Sequence, residues 1–175
     1  MVDVFDALQR FVEAHPARCC FRPGASAAEI AAAEAAMGME IPAAYRRFLA
    51  RFDGGFISLY RLTTDADWDF GAAEWNSNAL FGIERLVHEY KDQQLIWQLD
   101  LGWEGPWPYL PFCHTDGQEH LVFGPADPAG ERPVLDAWHE VWPHEWGVLY
   151  RGFEEFLAAY VGGEGNVETV AKASS

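Results

Sequence analysis

SAAEIAAAEAAMGMEIPAAYRRFLARFDGG, residues 26–55, is the stretch that decides the fold. Ser26 is followed three residues later by Glu29, the spacing of a capping box, in which both side chains satisfy backbone N–H groups at a helix start. A helix is therefore predicted to begin at Ala27. Gly38 supplies the left-handed residue that commonly ends a helix.

The second half of the same stretch predicts another helix. Pro42 suits the first turn of that helix, where its missing N–H costs nothing. One face of the helix would carry four apolar side chains: Tyr45, Phe48, Leu49 and Phe52. The Asp-Gly-Gly sequence at 53–55 is predicted to end the helix and to turn the chain toward a strand.

The order of residues across 30–55 resembles the N-terminal signature of the SUKH superfamily. That family includes bacterial immunity proteins of polymorphic toxin systems and a yeast cell-wall synthesis regulator. Met37 and Ile41 stand where the family more often has Leu, and Asp53 stands where it often has Asn. The resemblance continues at 110–123 and 153–157. The matching positions in the signature are Ile30, Glu34, Gly38, Ile41, Pro42, Tyr45, Leu49, Gly54 and Gly55.

The resemblance implies an α+β fold, with N-terminal helices and a C-terminal helix packed on a twisted antiparallel β-meander. Residue patterns point the same way, and they predict helices over 3–14, 86–99 and 151–161. Residues 18–25 are interpreted as a connector. Strands are predicted at 56–62, 80–85, 109–114, 118–123, 134–142 and 146–150.

Three further expectations concern how these elements are arranged. The strand over 134–142 has apolar residues on both faces, so we expect it to lie inside the sheet. The helix over 86–99 would turn Leu86, Tyr90, Leu95 and Trp97 inward. A single domain would span residues 1–163, followed by a flexible polar tail at 164–175.

The 27 Asp and Glu residues far outnumber the 12 Lys and Arg residues, which gives the 175-residue chain a net charge of −15. Such a chain has no basic stripe with which to release counterions from a nucleic-acid backbone, so we expect no nucleic-acid binding. The charge would attract a basic partner over a Debye length of about 8 to 10 Å. Solubility is the alternative reason for an acidic composition.

The N-terminal sequence has no basic region before an apolar run, which argues against a secretory signal. The chain also has no apolar run of about 18 residues, the length that a membrane-spanning helix needs. We therefore expect a cytoplasmic protein that does not enter a membrane.

Cysteine and histidine residues raise the question of a metal or a catalytic site. Cys19, Cys20 and Cys113 are too few for a disulfide framework and are predicted to be free thiols. The best zinc set would combine Cys113 or His114 with His120 and a carboxylate, but neighbours in a strand point to opposite faces. The same alternation separates Cys113 from His114 as nucleophile and base. We expect no metal, no cofactor and no catalytic residues.

Seven of the eight tryptophans fall into two groups. Trp97, Trp138 and Trp142 lie in predicted regular elements and are assigned to core packing. Those at 68, 75, 103 and 107 lie in two long loops beside carboxylates, where either loop packing or partner binding would explain them. The candidate partner-binding residues are Asp65, Asp67, Trp68, Asp69, Glu74, Trp75, Trp103, Glu104, Trp107 and Asp116.

These observations favour a non-catalytic protein that binds another protein through an acidic, aromatic loop surface. The SUKH resemblance implies an immunity protein whose partner is a bacterial toxin domain with a basic surface, for instance a nuclease. One alternative is a carbohydrate-binding or glycoside-hydrolysing protein that uses the loop tryptophans and carboxylates. The other is an intracellular scaffold or regulatory protein.

Overall fold

A computed structural model describes residues 3–58, 77–115, 119–128 and 130–167 of the chain. Within these ranges the chain forms five α-helices and seven β-strands. In chain order they are α1 (Val4–Ala14), β1 (Cys19–Pro23), α2 (Ala27–Met37), α3 (Ala43–Arg51), β2 (Phe52–Ile57), β3 (Ala79–Leu80), α4 (Ile83–Leu101), β4 (Leu110–His114), β5 (His120–Phe123), β6 (Val134–Ala137), β7 (Val148–Tyr150) and α5 (Phe153–Gly162). A short 3₁₀ helix at Pro143–Glu145 precedes β7.

The seven strands form one antiparallel sheet in which the spatial order follows the chain from β1 to β7. The predicted α+β meander with N-terminal helices and a C-terminal helix is confirmed. β6 lies between β5 and β7, so the strand expected inside the sheet does lie there, although it ends at Ala137. Among the described helices, none is long and apolar enough to cross a membrane.

The capping box at the start of α2 forms as predicted. The Glu29 N–H donates to Ser26 Oγ (3.3 Å), and the Ser26 N–H donates to Glu29 Oε2 (2.8 Å). Gly38 ends the helix with a φ of 65°, in the left-handed region. The local sequence alone therefore specifies both ends of this helix.

The Asp-Gly-Gly sequence at 53–55 does not end a helix, because α3 already stops at Arg51 and all three residues belong to β2. A Cβ on Gly54 would lie 2.3 Å from the Gly82 nitrogen, and a Cβ on Gly55 would lie 2.3 Å from the Cys20 carbonyl oxygen. The two glycines thus let β2 pass close to its neighbours on both sides.

Two predicted segments are wrong, and in both the difference involves a contact with a distant part of the chain. The connector at 18–25 contains β1, because Cys20 and Phe21 pair with Phe56 and Gly55 of β2. The strand at 80–85 is limited to Ala79–Leu80, and α4 begins three residues later, where the Ile83 N–H donates to the Asp53 side chain.

Tyr45 of α3 lies at the centre of the core between helices and sheet. Its ring centroid lies 5.5 Å from Phe112, 5.3 Å from Phe123 and 4.8 Å from Phe153. Its hydroxyl donates to the Phe81 carbonyl oxygen at 2.6 Å, so the polar group of this fully buried side chain is satisfied.

The residues after α5 remain attached to the body of the protein. Val167 is buried, and the Gly165 carbonyl accepts a hydrogen bond from the Asn78 side chain (2.8 Å). Arg18 pairs with Glu164 at 2.5 Å. Residues 164 to 167, which we expected in a flexible tail, therefore pack against the domain.

Candidate protein-interaction surface

The negative charge of the chain is concentrated in one part of the sequence. Residues 62–150 contain 16 acidic and 3 basic residues, whereas residues 1–61 contain seven of each. No lysine or arginine occurs between Lys91 and Arg132. Twelve of these acidic residues and all three basic ones lie at 83–150, in α4, the strands that follow it and the loops between them.

α4 changes character halfway along its length. The helix packs against α2 and β4, and Leu86 and Tyr90 in its first half are buried. Its second half exposes large apolar side chains instead, and the predicted inward position of Leu95 is wrong. The exposed fractions are 53% for Leu95, 52% for Ile96 and 75% for Leu99.

Beneath this half of α4 lies a cluster of four aromatic side chains. Trp97 stacks on Trp107 with ring centroids 5.2 Å apart, and Tyr109 lies 5.0 Å from both Trp107 and Trp146. Trp146 is held further by its Nε1–H, which donates to the Trp138 carbonyl oxygen at 3.1 Å. Such a cluster gives the overlying surface a rigid base.

Trp107 belongs to this base and not to the surface. Its side chain is completely buried, which removes it from the predicted residues able to touch a partner. The reason is that the loop folds back so that the indole stacks on Trp97.

Trp103 lies on the outside of the same loop and is 39% exposed. Its ring packs edge-on against Trp107, with centroids 5.4 Å apart, and its Nε1–H donates to the Pro106 carbonyl oxygen at 3.4 Å. Gly102, with a φ of 62°, ends α4 and turns the chain immediately before Trp103. We call the set of exposed apolar residues Leu95, Ile96, Leu99 and Trp103 the α4 ridge.

Carboxylates accompany the ridge on its own segment. Asp100 and Glu104 are exposed, and Asp92 lies one turn before Ile96. A second exposed aromatic, Trp142, precedes the 3₁₀ helix that leads into Trp146. It is 52% exposed, so its assignment to core packing is wrong: β6 ends at Ala137 and leaves it in a turn.

The ten predicted partner-binding residues divide between described and undescribed parts of the chain. Trp103 and Glu104 are at the surface and stay predicted contacts. Four residues that were not among the predicted contacts join them as exposed apolar groups: Leu95 and Trp142, which were assigned to the core, and Ile96 and Leu99. Seven predicted residues lie outside the described residues: Asp65, Asp67, Trp68, Asp69, Glu74, Trp75 and Asp116.

The histidines considered as metal ligands lie next to each other across β4 and β5. The His114 and His120 rings are 5.8 Å apart, and His120 Nε2 lies 3.5 Å from Glu89 Oε2. Burial, with a smaller contribution from Arg85, lowers the pKa of His120 to about 4, so its ring is neutral at pH 7. The described part of the chain contains no group of three or more His, Cys, Asp and Glu side chains arranged to hold a metal ion.

Residues 24–159 match the SMI1 / KNR4 family (SUKH-1). The chain belongs to this family. No match was found among the curated proteins.

The SUKH-1 signature residues have structural roles in this chain. Glu34 Oε1 accepts the Ile41 N–H at 2.8 Å and pairs with Arg46 at 3.2 Å, which closes the turn between α2 and α3. Asp53 Oδ1 accepts the Ile83 N–H at the start of α4. These contacts hold the frame on which the α4 ridge is displayed.

Proposed function

We propose that this SUKH-1 protein is a non-catalytic immunity protein that neutralises a cognate bacterial toxin by binding it and covering its active site. Family membership supports a protein-binding role of this type. We further propose that the partner is a toxin, that its active site is covered and that the contact involves the surface described above.

The proposal rests on one observation, which is that the negative charge and the exposed apolar side chains occur in the same segment of the chain. The segment with 16 acidic and 3 basic residues is also the one that exposes Leu95, Leu99, Trp103 and Trp142. Aromatic anchors inside an apolar patch with a polar rim are the usual composition of a binding hot spot. A nuclease toxin needs a basic surface to bind phosphates, and such a surface is complementary to this one.

The first experiment begins with the reading frame next to this gene: if it encodes a protein with a toxin-like C-terminal domain, that domain is produced as the test partner. Co-expression of the two proteins should rescue cell growth, and the purified protein should inhibit the toxin domain's activity in vitro. Failure to bind that domain and to protect cells from it would contradict the immunity role.

A matched pair of variants tests the contribution of charge. The double variant Asp100→Asn/Glu104→Gln should slow association with the toxin domain about two- to fivefold at low salt, because it weakens long-range attraction. Glu13→Gln/Glu40→Gln removes the same charge from exposed positions in the electrically balanced part of the chain. Equal effects of the two pairs would show that only the total charge matters.

A further inference from the structure

We propose that the α4 ridge is the contact centre of this protein, and that its occupant is a partner surface with an apolar stripe flanked by lysines and arginines. The inference takes the partner's class from the proposed function, but the surface and its chemistry are argued from the structure.

The second half of α4 exposes an apolar stripe in addition to carrying Trp97, which packs inward on Trp107. Leu95 and Leu99, one turn apart, point to solvent, whereas the Oε1 atom of Gln93 is buried and has no hydrogen-bond partner among the described residues. A surface helix normally places its apolar stripe against the core. The exposed stripe is therefore available to a second protein.

Trp103 adds an aromatic anchor that is already held in place. Its edge-on packing against buried Trp107 and its bond to Pro106 restrict the indole before any partner arrives. Binding then loses little side-chain entropy, which is the property that makes such a residue an effective anchor.

Charge decides between a foreign partner and a second copy of this chain. Asp92, Asp100 and Glu104 are exposed on the same segment as the ridge, where Lys91, one turn before Leu95, is the one basic residue; no lysine or arginine lies between positions 92 and 131. Two such surfaces would repel each other across a symmetric interface. A surface with basic residues beside its apolar stripe would be attracted.

The test uses a synthetic helical peptide of leucine and lysine, about 18 residues long, with its leucines on one face. An isomer of equal composition has its leucines spread around the helix. Hydrogen–deuterium exchange of the full-length protein locates the peptide, and fluorescence titration gives its affinity. We expect protection of residues 92–104 and at least tenfold weaker binding of the isomer.

Substitutions in the protein test the same contact. Leu95→Gln/Leu99→Gln changes two exposed residues to another good helix former, so the fold should survive, and peptide binding should fall at least tenfold. Val148→Gln is the matched control, because Val148 is 63% exposed but lies on β7, three strands from the β4 strand that α4 covers. It should change the affinity less than twofold.

Three results obtained without the toxin domain would each overturn the inference. The first is equal binding of the peptide and its isomer, and the second is protection outside residues 92–104. The third is a dimer in sedimentation that the double variant abolishes, since the ridge would then bind a second copy.

Binding measurements with the neighbouring toxin domain distinguish a failure of this inference from a failure of the proposed function. If that domain binds the wild type and Leu95→Gln/Leu99→Gln equally well, the ridge is not the contact centre, but the immunity role stands. If that domain does not bind while the peptide protects the ridge, the immunity role is wrong and the ridge stands.

Discussion

The Asp53 side chain on β2 caps a helix that begins 30 residues later, because its Oδ1 accepts the Ile83 N–H at 2.7 Å. The Asp53 carbonyl oxygen meanwhile accepts a hydrogen bond from Arg22 Nε at 2.7 Å. Asp53, which stands where the family often has Asn, thus ties β1, β2 and the start of α4 together, and α4 carries most of the proposed contact surface.

Replacing Asp53 with alanine should destabilise the protein by about 1 kcal/mol, because an N–H at the start of α4 loses its acceptor. Denaturant unfolding followed by circular dichroism would measure the change. Asp53→Asn keeps an acceptor oxygen and should cost clearly less. Equal losses for both variants would contradict the capping role.

Gly54→Ala should cost about 3 kcal/mol or more, because a positive φ of 79° is combined with a Cβ contact of 2.3 Å to the Gly82 backbone. Gly38→Ala is the control: its φ is 65°, but no atom lies within 4 Å of the new Cβ. It should cost about 1 kcal/mol, from conformational strain alone. Similar midpoints of thermal unfolding for the two variants would show that the close approach of β2 to Gly82 does not matter.

Protonation of His120 should make stability fall in mildly acidic solution. Its pKa is about 4 in the folded protein, where burial favours the neutral ring, against about 6.5 in the unfolded chain. Acid therefore protonates the unfolded state first, so stability is fully present above about pH 6.5 and is lost as the pH falls to 4.

The expected loss over that window is about 3 kcal/mol. It should be absent from the variant His120→Gln, which cannot take up the proton. Urea unfolding of both proteins at several pH values gives the difference. A difference that does not change between pH 6.5 and 4 would mean that His120 does not titrate in this way.

Substitution of Trp107 should mainly reduce stability, whereas substitution of Trp103 should mainly reduce binding. Trp107→Ala should cost about 4 kcal/mol, because a fully buried ring is removed from the aromatic cluster. Trp103→Ala should cost less than about 1 kcal/mol, yet weaken toxin-domain binding about tenfold or more. Unfolding curves and binding titrations of both variants would test this, and unchanged binding of Trp103→Ala would contradict its role as an anchor.

Interactions between close neighbours in the chain were predictable from the sequence. Ser26 and Glu29 lie one helical turn apart, and the conformation of Gly38 follows from its missing Cβ. The alternating apolar residues likewise located β4 to β7 to within a few residues, except where β6 ended early. Local pattern was sufficient there because each element buries a face that its own spacing defines.

Interactions across long sequence distances were not predictable in this way. Cys19–Pro23 becomes a strand only because β2 passes beside it, and α4 begins at Ile83 where the Asp53 carboxylate accepts its N–H. The seven predicted contacts in 65–75 and at Asp116 lie outside the described residues and stay predictions.

By itself, the sequence of residues 26–55 determined the helix pair, because caps, glycines and apolar spacing act over one or two turns, and its resemblance to the SUKH signature pointed to the family and the α+β class. Only the tertiary structure decided which stripe of α4 faces water. Both stripes contain apolar residues, and the aromatic cluster around Trp107 occupies the space beneath one of them. Packing against that cluster draws Trp97 inward and leaves Leu95 and Leu99 for a partner.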